Sequence, residues 1–85
     1  MKRIYKYPIP VEDLITINMP NGAKILTVQM QNSEPCIWAL VDIDEHKINK
    51  YFRLYGTGME VPEGLKYIGT FQMLNGGLVF HLFEV

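Results

Sequence analysis

The chain has 85 residues, 8 Lys and Arg against 9 Asp and Glu, a formal net charge of −1 and 48% apolar residues. That length makes one domain, residues 1–85, with a modest core. The charge argues against an electrostatic nucleic-acid binder, which draws on a basic surplus, and the apolar content excludes a disordered chain.

Cys36 is the single cysteine, so no disulfide forms within one chain. The lone thiol fits a reducing compartment. Cys36, His46 and His81 fall short of the set of about four ligands that a structural zinc needs, so no metal or other cofactor is expected. Domains this small often gain stability by oligomerisation, and a homo-oligomer is the expected state. The opening Met-Lys-Arg-Ile-Tyr-Lys lacks the apolar core of a signal peptide. No apolar run approaches the ~18–20 residues of a membrane helix, so no membrane partner is expected.

Turn residues punctuate the chain at short, even intervals, and the runs between them are rich in Ile, Val, Thr, Tyr and Phe. This pattern predicts a mainly β fold, a small antiparallel sandwich or barrel of about six or seven short strands. The first strand covers about Lys2 to Tyr7. Only Val11 to Ile15, after Pro10, offers as much as a helical turn. A second strand starts at Leu14, and Asn21-Gly22 predicts a hairpin joining it to a third, Lys24 to Gln31. In that third strand alternation sets Leu26, Val28 and Met30 against Ile25, Thr27, Gln29 and Gln31.

The fourth strand, Pro35 to Ile43, is apolar on both faces, which predicts a central strand or an interface. The fifth, His46 to Tyr55, sets Ile48, Lys50, Phe52 and Leu54 against Asn49, Tyr51, Arg53 and Tyr55. In the sixth, Leu65 to Leu74, alternation puts Tyr67, Gly69, Phe71 and Met73 opposite Lys66, Ile68, Thr70 and Gln72. Asn75-Gly76-Gly77 then turns into the last strand, Leu78 to Val85.

Two features carry chemistry. Tyr51 and Tyr55 flank Arg53 on one strand face; the rings suit stacking on a base and the guanidinium suits a phosphate. The same residues also serve as the plain outer covering of a sheet. Gly56-Thr57-Gly58 offers backbone donors and a hydroxyl to an anion, or is simply a turn with positive φ. Gly69 inside a strand marks a bulge or a close approach. Trp38 reads as a core anchor or a stacking wall. His81, between Phe80 and Leu82, has no acid or nucleophile at triad spacing, so no residue is assigned a catalytic role.

Several stretches together resemble a family of small proteins encoded by tailed phages: Ile4-Tyr5-Lys6-Tyr7-Pro8, Met19-Pro20, Ala23-Lys24-Ile25-Leu26, Trp38-Ala39-Leu40-Val41-Asp42, Gly56-Thr57-Gly58, Tyr67-Ile68-Gly69-Thr70-Phe71-Gln72 and His81-x-Phe83-Glu84. The likeness covers nearly the whole chain. It implies an accessory role in the cytoplasm of the infected bacterial host. Some such proteins counter host defence by sequestering nucleotide immune signals, such as cyclic ADP-ribose isomers, ADP-ribose conjugates or cyclic dinucleotides.

The expected function is therefore binding of a small nucleotide signal without cleavage, by a homo-oligomer. Arg53 and Lys66 are expected to meet phosphates, and Tyr51, Tyr55, Tyr67 or Trp38 a base. Gly56, Thr57 and Gly58 are expected to donate to phosphate or ribose, with Thr70 and His81 as further contacts. Two rivals stand beside it: a module that docks a host or phage protein, and a phosphodiesterase-like enzyme using His81 or His46.

Overall fold

The computed structural model describes residues 1–85 as seven strands and one short 3₁₀ turn. The first sheet has the order β1 (Lys2–Pro8), β4 (Glu34–Asp42), β3 (Lys24–Gln31). The second has the order β2 (Leu14–Pro20), β5 (Lys47–Gly56), β7 (Leu78–Glu84), β6 (Lys66–Met73). Every pairing is antiparallel. The fold is thus mainly β, in two antiparallel sheets, as the strand spacing predicts. Leu14 already lies in β2 and no helical turn forms at Val11.

One core lies between the sheets. The first contributes Ile25, Val28, Ile37, Ala39 and Val41; the second contributes Ile15, Met19, Phe52, Leu54, Phe71 and Leu82. No polar or charged side chain is fully buried. Apolar burial is therefore the dominant stabilising term. The Lys50–Glu84 ion pair, 2.8 Å and largely covered, closes one end of the core face. β4 is the central strand of its sheet, between β1 and β3; Ile37, Ala39 and Val41 are buried on its inner face, while Trp38 and Leu40 are half-buried on its outer one.

The Asn21-Gly22 hairpin does not form: β2 pairs with β5, and β3 with β4. The Ala23 N–H donates to the Pro20 carbonyl at 3.2 Å, and only Gly22 has positive φ, at 79°. That is a type II arrangement, which splays its flanking strands instead of pairing them. The chain thus crosses from one sheet to the other, keeping Met19 and Ala23 both in the core. The two-residue hairpin lies at Asn32-Ser33, both with positive φ (50° and 65°), between Gln31 and Glu34, which face each other. Positive φ at both central residues is the type I′ signature, whose twist matches paired strands.

Two bulges change which residues face inward. Between Ile25 and Thr27 the register with β4 shifts, leaving Leu26 as the extra residue. Ile25 and Val28 are both buried while Leu26 is exposed, so the simple alternation predicted for this strand fails there. A second shift lies between Tyr67 and Gly69, with Ile68 as the extra residue. Gly69 thereby turns toward β3, and a Cβ at Gly69 would stand 2.8 Å from Val28 Cγ1.

This close approach predicts that Gly69→Ala destabilises the fold by ~1–3 kcal/mol through overpacking, read as a lower midpoint in urea. Ser33→Gly is expected to raise stability by ~0.5–1 kcal/mol, because glycine meets no side-chain penalty in the left-handed region. An unchanged midpoint for either variant contradicts the corresponding contact or turn.

Candidate functional site

The outward face of the four-stranded sheet gathers most of the polar and aromatic residues singled out in the sequence. β5 alternates cleanly, with Phe52 and Leu54 buried and Tyr51 and Arg53 exposed. In the registers, Arg53 stands opposite Leu14 on β2 and Phe83 on β7, and Phe83 stands opposite Tyr67 on β6. This makes one row across the sheet: Leu14, Arg53, Phe83, Tyr67. The adjacent row runs Tyr55, His81, Thr70. On the far side of the Arg53 row Tyr51 stands opposite Thr16.

Phe83 organises the aromatic part. Tyr55 meets it edge-on at 5.6 Å between ring centroids, and Tyr67 at 5.5 Å. Edge-to-face contact of this kind fixes ring orientation beyond simple burial. Phe83 was not among the sequence candidates. Its signal was its place in the alternation with His81, which puts both on one face of the last strand. Arg53 forms no ion pair; the ion pairs of the structure involve only Met1, Asp42, Asp44, Lys50 and Glu84. An exposed, unpaired guanidinium beside these rings is free to take an anion.

Beside this row runs a hydrogen-bonded chain of side chains. Thr57 Oγ1 lies 2.8 Å from His81 Nε2, Thr70 Oγ1 2.8 Å from His81 Nδ1, and the Tyr67 hydroxyl 2.6 Å from Thr70 Oγ1. A neutral imidazole satisfies this chain in either tautomer, because each hydroxyl both donates and accepts. With both ring nitrogens held by hydroxyls, His81 is oriented by its neighbours and has no carboxylate partner. No group of three His, Cys, Asp or Glu residues stands close enough to hold a metal ion.

The Ile68 bulge makes this chain. Strict alternation sets Tyr67 and Thr70 on opposite faces, but the extra residue between Tyr67 and Gly69 brings both to the outer face. The same shift leaves Lys66 opposite Glu84, which in turn stands opposite the buried Phe52. Lys66 therefore lies on the other side of the sheet from Arg53, so the two cations expected to meet phosphates do not share a face.

Trp38 is likewise separated from the site. It sits half-buried on the outward face of the three-stranded sheet, opposite Lys6 and Thr27, and is neither a core anchor nor part of this site. Alternation along β4 accounts for this, because Ile37 and Ala39 take the inward positions.

Gly56, Thr57 and Gly58 form a turn closed by the Met59 N–H donating to the Gly56 carbonyl at 3.1 Å, with Gly58 at φ 93°. The Gly56 N–H points at Met59 Sδ, 3.2 Å away. The loop is a turn whose first amide is already engaged, not a cradle of free donors, and Thr57 is its contribution to the site. Next to it, Gly56, Thr57 and Gly77–Phe80 line an open cavity of about 390 Å³. A smaller one, about 190 Å³, lies between Val11–Asp13 and Met59.

The comparisons with known proteins bear on family alone. The whole chain, residues 1–85, matches the model of a domain of unknown function (DUF7352). The chain belongs to this family. No curated protein and no solved structure matches it.

The polar chain predicts measurable coupling between Tyr67 and Thr70. In a double-mutant cycle of Tyr67→Phe and Thr70→Val, urea unfolding is expected to give a coupling of ~0.5–1.5 kcal/mol, the usual worth of one hydrogen bond. Strict additivity contradicts the contact.

Proposed function

We propose that the protein binds a small nucleotide on the outer face of its four-stranded sheet and holds it without cleaving it. The observation that carries this reading is the convergence of Tyr51, Arg53, Tyr55, Phe83 and Tyr67 on one face, with an unpaired guanidinium among the rings. Base-on-aromatic stacking is worth ~1–3 kcal/mol per base, and an arginine fork matches phosphate geometry. Arg53 and Gly56, the strand residue just before Thr57, are three residues apart, about 10 Å along an extended strand. That span suits a nucleotide with two phosphates or a cyclic dinucleotide better than a lone phosphate.

Retention without cleavage is the simpler chemistry for this face. A hydroxyl-activating histidine is usually held by a carboxylate on its other nitrogen, whereas His81 has a threonine hydroxyl on each nitrogen and no carboxylate beside it. The likeness to tailed-phage accessory proteins suggests a biological setting. There the protein would lower the free concentration of a nucleotide immune signal in the cytoplasm of an infected bacterium.

A second reading is kept because of one observation: the site is an open face, not an enclosed pocket. Ligand sites usually bury most of a small molecule, whereas an open face rich in tyrosine and arginine also suits a protein partner. The two readings separate in one experiment. Titration calorimetry against cyclic dinucleotides and ADP-ribose derivatives is expected to give heat with at least one member. Arg53→Ala is expected to weaken that binding at least ~10-fold, equivalent to one charge-assisted contact, and the ligand should return intact on denaturation. No heat with any member, alongside stoichiometric capture of one host protein, favours the docking module. Recovery of a cleaved product favours an enzyme.

A further inference from the structure

A notch in the four-stranded sheet lies next to the Arg53 face and differs from it in chemistry. β5 and β7 pair as far as Gly56 and Phe80. β5 then leaves in the Gly56–Met59 turn, while β7 stays paired with β6 back to Leu78. The gap between them is the open cavity of about 390 Å³. It begins one row beyond Tyr55, His81 and Thr70. Thr57 belongs to both places, because it lines the cavity and its hydroxyl meets His81.

The lining decides what can enter. Its side chains are those of Thr57, Leu78, Val79 and Phe80, and none is charged; Gly56 and Gly77 leave bare backbone between them. Phe80 is braced by Phe71, at 5.7 Å between ring centroids. Gly56 and Phe80 also border the smaller cavity, which holds Glu12 and Asp13, and neither carboxylate pairs with a cation. A phosphate in the notch would therefore meet no cation and stand near two anions, an unfavourable place for a charge leaving water. An uncharged ring meets apolar walls instead.

The notch also keeps a hydrogen-bond donor. The Val85 N–H donates to the Tyr51 carbonyl, and in an antiparallel ladder the bonds fall on alternate residues. Phe83, His81 and Val79 therefore turn their amides toward β5. Val79 has no partner on that side, because the ladder stops at Gly56 and Phe80. Its N–H opens into the notch, where the acceptor edge of a base can meet it.

We propose that the notch takes an uncharged nucleoside end of the ligand, so that the protein selects dinucleotides, two nucleosides joined through phosphate. This deepens the nucleotide reading above and rests on it. One base stacks on the rings around Phe83, the phosphates meet Arg53, and the second nucleoside fills the notch. Phe83 and Val79 are four residues apart on β7, about 13 Å along the strand. Two linked nucleosides bridge those two places, and one base cannot occupy both. A nucleoside triphosphate has the reach, but it would send charge where no cation stands. The cavity lies near the lower end of the ~300–1,000 Å³ range of ligand sites, which suits one base with its ribose and not the whole ligand.

Titration calorimetry tests this with cyclic and pyrophosphate-linked dinucleotides of the four common bases, beside the matching nucleoside mono- and triphosphates. The best dinucleotide is expected to bind ~10-fold or more tighter than its mono- and triphosphate, the worth of one further stacked base. Leading affinity in either the cyclic or the linear series supports the proposal and names the linkage. Val79→Trp fills the notch and is expected to bring dinucleotide affinity down to the monophosphate level. NMR of the methyl-labelled wild-type protein gives the same answer whether or not that variant folds. The Leu78 and Val79 methyl signals should move with the dinucleotide and stay in place with the monophosphate. A mono- or triphosphate that binds as tightly as every dinucleotide overturns the selection, as do unmoved Leu78 and Val79 methyls, and both results leave the Arg53 face standing as a nucleotide site. Absence of binding by every member overturns the nucleotide reading itself, and this inference with it.

Discussion

Gly69 and Val28 meet where β6 lies against β3, and the arrangement of the outer face depends on that contact. A side chain at residue 69 would collide with Val28 Cγ1. Glycine lets the two strands close over the core, and the extra residue Ile68 absorbs the mismatch in spacing with β7. The bulge brings Tyr67 and Thr70 to one face and puts the Thr70 hydroxyl against His81. A packing requirement inside the sandwich thus sets the chemistry on its outside.

The inside is otherwise simple. Every fully buried side chain is apolar, so stability rests on burial and shape complementarity with no buried polar network to satisfy. The polar groups are then left to the two outward faces, which differ. One carries Arg53, His81 and a cluster of rings. The other carries Trp38, Leu40, Leu26 and Ile4 beside Lys2, Lys6 and Lys24. The first suits an anionic ligand with a flat base. The second is continuous with an unpaired edge.

Much of this was legible in the sequence because it is local. The alternation of Phe52 and Leu54 against Tyr51 and Arg53 predicts the β5 face, and the two-sided apolar run from Cys36 to Val41 predicts a central strand. What escaped the sequence depends on partners far along the chain. No period reveals that Ile68 or Leu26 is an extra residue, because a bulge is fixed by what the opposite strand needs. Asn21-Gly22 carries the stronger hairpin motif, yet Asn32-Ser33 makes the hairpin, because the turn at Asn21-Gly22 carries the chain from one sheet to the other. β7 enters between β5 and β6, so Phe83 and His81 reach Arg53 and Tyr67 only through strand order, which the sequence does not display.

Everything proposed for this protein turns on the bulge-built outer face taking the ligand. The most direct measurement is an NMR titration of protein labelled at aromatic rings and methyl groups, with a binding nucleotide as titrant. Binding there is expected to concentrate shifts at Tyr51, Tyr55, Tyr67, His81, Phe83 and the Thr70 methyl, with Trp38 and the β1 tyrosine Tyr5 unmoved. Shifts centred on Trp38 and Ile4, with the Thr70 methyl and Phe83 ring unchanged, would contradict it.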